Sequence, residues 1–146
     1  MTDLYDKNPE LGEKIDHIVE DGDKHRHKGD FDTALLHYEE AWLLVPEPKT
    51  DWMMPSLWIA SSFYAAYFSK HDYEKAKNWA YIALKVKSPI DTGPVVDMGM
   101  VCFELEQYDE AYKYFHDAYT YGKKRAFRER PPKYLEFYLD RSKLEK

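Results

Sequence analysis

Apolar residues recur along this chain with the period of a helix, and one such pattern is written three times. "GDFDTALLHYEEA" from Gly29, "HDYEKAKNWAYIA" from His71 and "EQYDEAYKYFHDA" from Glu106 place matching residues at matching steps. Phe31, Tyr73 and Tyr108 correspond, as do Ala34, Ala76 and Ala111, then Tyr38, Ala80 and Phe115, then Ala41, Ala83 and Ala118. Steps of three, four and three residues keep each set on one face of an α-helix. Alanine at two of the four places lets a neighbouring helix come close. Asp30, Asp72 and, in the third copy, Gln107 stand at the N-cap, where Asp is the stronger residue because a short side-chain oxygen reaches the first-turn amides.

A second helical pattern precedes each copy. The first follows Asn8 as N-cap with Pro9 at the opening helical position, the second follows Pro55, and the third follows "DTGP", with Pro94 at its start. Each unit is therefore a helix, a turn and a helix, and the units span about residues 9–46, 55–89 and 92–122. One such pair cannot bury its own apolar face, so pairs must stack. The spacing from Ala34 to Ala76 is 42 residues and from Ala76 to Ala111 is 35, which puts an inserted linker at 47–56. Pro131 and Pro132 open a last helix, about 131–144, with Tyr134, Leu135, Phe137, Tyr138 and Leu144 available to cover the open end of the stack. The expectation is one all-α domain over residues 1–146.

This order of residues resembles the tetratricopeptide repeat. The likeness rests on the positions above, on Gly22 and Gly99 in the first helices, and on Pro46 and Pro89 after the second ones. The resemblance implies a right-handed α-solenoid of three helix hairpins with a capping helix. The middle unit departs from it, because Tyr64 stands where Gly22 and Gly99 do, and a ring there is expected to push the helices apart or swing out of the crossing. The family binds peptides or partner helices in a concave groove lined by first helices. Carried over, that geometry gives a floor of Trp58, Phe68, Met100 and Phe103, and a rim of Asp16, Glu20, Asp23, Asp97 and Glu104. Aromatic anchors in a desolvated pocket are what binding hot spots use. The alternative for Trp58 and Phe68 is plain packing in the stack or cover by the last helix. Where chaperone-binding members carry a basic clamp for a terminal carboxylate, this chain has Val19, Asp23, Ser62, Gly93 and Asp97, which disfavours that ligand.

Charge sharpens the choice of partner. The net charge is −6, but residues 123–146 carry nine Lys and Arg against four Asp and Glu, leaving −11 on residues 1–122. An acidic rim suits another protein with a basic surface or peptide. It counts against nucleic acid, which is held by Lys and Arg, and runs such as "KKRAFRER" are commonly solvated. That run also has an internal alternative, lying against the acidic groove of its own chain. "DWMMP" supplies a second contact candidate in Trp52, Met53 and Met54, which either fold back over the stack or form an apolar patch.

The chain shows no phosphate loop, HExxH or nucleophile elbow, so it is read as a non-enzyme without metal or cofactor. His25 and His27 lie on different sides of a helix, and Cys102, between Val101 and Phe103, reads as a packing thiol. A single cysteine and the absence of a signal peptide or an apolar span of roughly 20 residues predict a cytoplasmic protein with no membrane role. "PVVDMGMVCFELEQYDEAYKYF" and "GKKRAFRERPPKYLEFYL" resemble small stand-alone bacterial tetratricopeptide proteins encoded beside polymorphic or contact-dependent toxins. That resemblance implies an immunity protein, a stoichiometric toxin inhibitor. The competing function is a self-associating scaffold, in which exposed ends stack into homodimers or arrays.

Overall fold

Three carboxamide or carboxylate side chains cap the starts of long helices in the manner the sequence predicts. Asn8 accepts from the Leu11 amide at 3.2 Å, Asp30 from Thr33 at 3.3 Å and Asp72 from Lys75 at 3.4 Å. Gln107 stands at the equivalent place and makes no such bond, its longer side chain being poorly suited to the reach. A computed structural model describes residues 3–145. Those residues are helical or loop, without a strand among them, so the protein is all-α.

The chain forms two compact units, the first ending at Lys87 and the second beginning at Ser88. The first holds α1 (Leu4–Lys7), α2 (Pro9–His27), α3 (Phe31–Leu44), a 3-10 turn (Lys49–Asp51), α4 (Met53–Ser69) and α5 (Tyr73–Val86). The second holds α6 (Gly93–Glu104), α7 (Tyr108–Gly122), a 3-10 turn (Lys123–Phe127) and α8 (Pro132–Leu144). α2 pairs with α3, α4 with α5 and α6 with α7.

The turns inside these hairpins repeat at the level of the backbone. Gly29, His71 and Glu106 each take a positive φ, of 84°, 62° and 62°. The next amide in each case reaches back to a carbonyl five residues earlier: Asp30 to His25 at 2.9 Å, Asp72 to Tyr67 at 2.9 Å, Gln107 to Cys102 at 2.8 Å. Each first helix thus ends in the same left-handed closure, which satisfies carbonyls that have lost their helical partners. The three closures lie 42 and 35 residues apart, the offsets of the sequence repeat.

Packing across each hairpin follows a size exchange. A Cβ added to Gly22 would lie 2.7 Å from the Tyr38 ring, and one on Gly99 would lie 2.4 Å from that of Phe115. The aromatic residue of the second helix therefore fills the space a glycine leaves in the first. In the middle hairpin the sizes are reversed, with Tyr64 on the first helix and Ala80 on the second, both buried. This corrects the expectation for Tyr64. Its ring stays inside, 5.4 Å from that of Phe68, because the second helix presents a methyl group where the others present a ring.

Three further differences from the sequence reading have local causes. α4 begins at Met53, not after Pro55; proline is tolerated in a first turn, whose amides have no helical acceptor. The linker is partly ordered by Lys49, whose ammonium donates to the carbonyls of Trp42 at 2.7 Å and Val45 at 2.8 Å and so closes the end of α3. Leu144 is 86 % exposed and covers nothing, whereas Tyr134 and Tyr138 of α8 are buried against Phe115 and Phe127.

Candidate functional site

In the first unit, α2 carries Glu13, Asp16, Glu20 and Asp23 at steps of three and four, which stacks them along one face. Two of the four are engaged within the fold. Tyr5 of α1 lays its ring over Gly12, where an added Cβ would meet it at 2.5 Å, and donates its hydroxyl to Asp16. That contact, with burial as the larger cause, pushes the Tyr5 phenol well above its ordinary range. Asp23 accepts from the Tyr38 hydroxyl at 2.5 Å and from the Trp58 indole N–H at 3.1 Å, and lies 3.4 Å from the Arg26 guanidinium. Burial and the Asp23 carboxylate raise the Tyr38 pKa to about 12, against the opposing pull of Arg26. Glu13 and Glu20 remain exposed.

Trp58 is half-buried and packs at the edge of the core formed by Ile15, Val19, Tyr38 and Phe63. Phe68 is half-buried between the rings of Tyr64 and Tyr73. Of the linker residues, Trp52 folds back, donating its indole N–H to the Pro46 carbonyl at 3.1 Å and packing on the same core. Met53 is half-buried at the start of α4 and Met54 is 52 % exposed.

In the second unit the predicted floor and rim lie beneath the chain's own C-terminal segment. Arg130 pairs with Asp97, approaches the Met100 sulfur at 3.3 Å and donates to the Gly93 carbonyl at 3.5 Å. Glu104 accepts from the Tyr134 hydroxyl at 2.7 Å and from Lys133 at 2.9 Å. Phe103 meets Tyr108, Tyr134 and Phe137 edge-on, with centroids 5.2 to 5.4 Å away. Arg141 adds a third pair across to Asp109 at 2.6 Å. Burial raises the pKa of the Asp97 carboxyl, and Arg130 acts against that shift.

The acidic face of α6 and α7 thus meets the basic C-terminal segment of the same unit. Sequence reasoning placed Asp97, Met100, Phe103 and Glu104 in a groove, offered the run containing Arg130 as an internal occupant and Tyr134 as cover for the end of the stack, and missed Lys133 as a partner. The signal that points to these partners is the charge opposition itself, a positive tail after an acidic hairpin. The internal alternative for "KKRAFRER" holds for Arg130. Lys123, Lys124, Arg125 and Arg128 stay exposed.

Among the described residues no group of three or more His, Cys, Asp or Glu is arranged to hold a metal ion, and no helix is long and apolar enough to cross a membrane. Cys102 is buried, with its sulfur 4.0 Å from a Glu110 oxygen. The chain matches no protein-family model and no curated relative.

Proposed function

We propose that this chain is a tetratricopeptide-like repeat protein that acts by stoichiometric capture of a basic protein, and that the exposed carboxylates of α2 in its first unit make first contact. The observation that carries the reading is the threefold recurrence of the same left-handed closure between paired helices, at offsets of 42 and 35 residues. Repeated hairpins of this kind build extended surfaces for partners. The identity of the contact residues follows from what the fold already uses. Asp23, Asp97 and Glu104 are neutralised internally, so they hold the scaffold. Of the predicted rim, Glu20 is the residue left exposed to a partner, and Glu13, two helical turns earlier on the same face and not among the predicted residues, joins it.

An immunity role against a basic toxin domain is the specific form of this proposal. A nuclease is one such target, since its active site must attract phosphate, and an acidic surface competes for the same groups. Affinity capture from the source cells with wild-type protein and a Glu13→Lys, Glu20→Lys variant tests it. The expected result is one near-stoichiometric basic protein, lost with the variant, whose expression alone arrests growth and whose effect the chain relieves. A partner that both forms retain, or none at all, would overturn the assignment of α2.

A further inference from the structure

Among the described residues, two further exposed patches of opposite charge lie apart from the α2 carboxylates. The first is the outer face of α3. Leu36 and Leu43 are 66 % and 78 % exposed, two helical turns apart, and Glu39 and Glu40 lie between them. Residues seven apart return to the same side of a helix, about 10 Å along its axis. A core-facing helix normally keeps leucine inward, and here Ala34, Leu35, Tyr38 and Ala41 already supply the buried face. The outward leucines therefore add nothing to the hairpin they belong to.

The second patch belongs to the other unit. Lys123, Lys124, Arg125 and Arg128 crowd the 3-10 turn after α7, all exposed, and no carboxylate pairs with them among the described residues. This contrasts with Arg130, Lys133 and Arg141, each of which has its acid. Beside the turn lies an open pocket of about 470 Å³, walled by Ile90, Tyr121 and Ala126 and edged by Lys123 and Arg125. Ile90 is 68 % and Tyr121 61 % exposed. In a chain of net charge −6, this is an open hollow with apolar and polar lining and a cationic rim.

We propose that copies of this chain associate with one another, the α3 face of one copy docking on the Lys123–Arg128 turn of the next. A leucine of α3, Leu36 or Leu43, enters the hollow between Ile90 and Tyr121, and Glu39 and Glu40 face Lys124 and Arg125. Each patch holds what the other lacks: projecting apolar groups flanked by acids on one side, and a depression with Ile90, Tyr121 and Ala126 in its wall flanked by bases on the other. Such a contact is heterologous, so it closes into a ring or continues as an open chain. It uses neither Glu13 nor Glu20 and does not depend on the capture of a second protein.

Sedimentation of the purified full chain over a range of concentrations reads this out. The expected result is a concentration-dependent larger species that weakens as salt rises, because exposed charge pairs are screened. Glu39→Lys with Glu40→Lys, and separately Lys124→Glu with Arg125→Glu, should each weaken association about tenfold or more, since like charges then face each other. Mixing these two variants should restore it, because each then offers the patch the other needs. Leu43→Ser should weaken it without altering charge. All these positions are exposed, and circular dichroism checks that helicity is kept. A wild-type chain that stays monomeric throughout, association that survives either reversal, or two reversed variants that stay apart when mixed would overturn the proposal.

Discussion

Trp58 donates its indole N–H to Asp23 at 3.1 Å and so ties α4 to α2 through a carboxylate that also receives the Tyr38 hydroxyl. The resemblance implies a face for partners that holds both residues, yet each satisfies the other. A buried donor with a charged acceptor contributes more than a neutral pair, and loss of the acceptor leaves donors without partners. Asp23→Ala is therefore expected to cost about 2–4 kcal/mol. Trp58→Phe, which keeps an aromatic ring but loses the indole N–H and part of the packed area, should cost about 1–3 kcal/mol. Urea unfolding of the two single variants and the double should show coupling between them.

The same contact predicts a loss of stability at high pH. Tyr38 holds its proton in the folded chain to about 12, against an ordinary phenol near 10. A group whose folded pKa is raised contributes stability that is fully present below the unfolded value. It is lost as pH rises through the folded one. Stability should fall between about pH 10 and 12, and Tyr38→Phe should flatten part of that fall. Thermal unfolding across this range checks it.

The left-handed turns predict opposite outcomes for reciprocal substitutions. Gly29 has open space around its missing side chain but a φ of 84°, so Gly29→Ala meets only backbone strain and should cost about 1 kcal/mol. His71 and Glu106 sit in the same conformation with side chains. Replacing either by glycine relieves that strain at the cost of chain entropy, and should be neutral or stabilising by up to about 1 kcal/mol. Denaturation midpoints of the three variants, measured together, decide the point.

Gly99 and Phe115 should behave as one packing unit. A methyl at Gly99 meets the Phe115 ring at 2.4 Å, so Gly99→Ala is expected to cost about 1–3 kcal/mol. In a Phe115→Leu background the same change should cost clearly less, because a smaller neighbour leaves room. An equal cost in both backgrounds would show that the clash is relieved elsewhere.

Arg130 predicts a pH-dependent defect. Asp97, only 18 % exposed, has its carboxyl pKa raised by burial, and Arg130 opposes that rise. Arg130→Met removes the cation beside it, so the raised pKa should rise further. The stability lost should be about 2–4 kcal/mol at neutral pH. It should shrink toward pH 4 and below, where Asp97 becomes neutral in both folded and unfolded chains. Chemical unfolding of both proteins at neutral and acid pH measures the difference.

What the sequence discloses here is local, and what it withholds is pairing. Asn8, Asp30 and Asp72 mark helix starts because a cap acts over three residues, and the alanine steps mark the inward face because helical period is local too. Pro55 misled by two residues, since a proline marks a first turn without fixing which residue opens it. Tyr64 against Ala80 was readable as an exchange of sizes only once the two helices were set side by side. The acidic positions Asp16, Glu20, Asp23, Asp97 and Glu104 all lie on helices. Whether Asp97 meets solvent or Arg130, 33 residues later, depends on how the C-terminal segment returns, and no periodicity encodes that. The α1 turn, which brings Tyr5 to Asp16, gave no repeat signal because it occurs once.

The most direct test of the central claim is titration calorimetry of the purified chain against its captured partner. The account predicts one partner per chain, affinity that falls with salt, and at least about tenfold weaker binding for Glu13→Lys with Glu20→Lys, with Trp58→Phe close to wild type. Binding that is indifferent to the reversal of both glutamates, or lost with Trp58→Phe in a chain that remains folded, would contradict it.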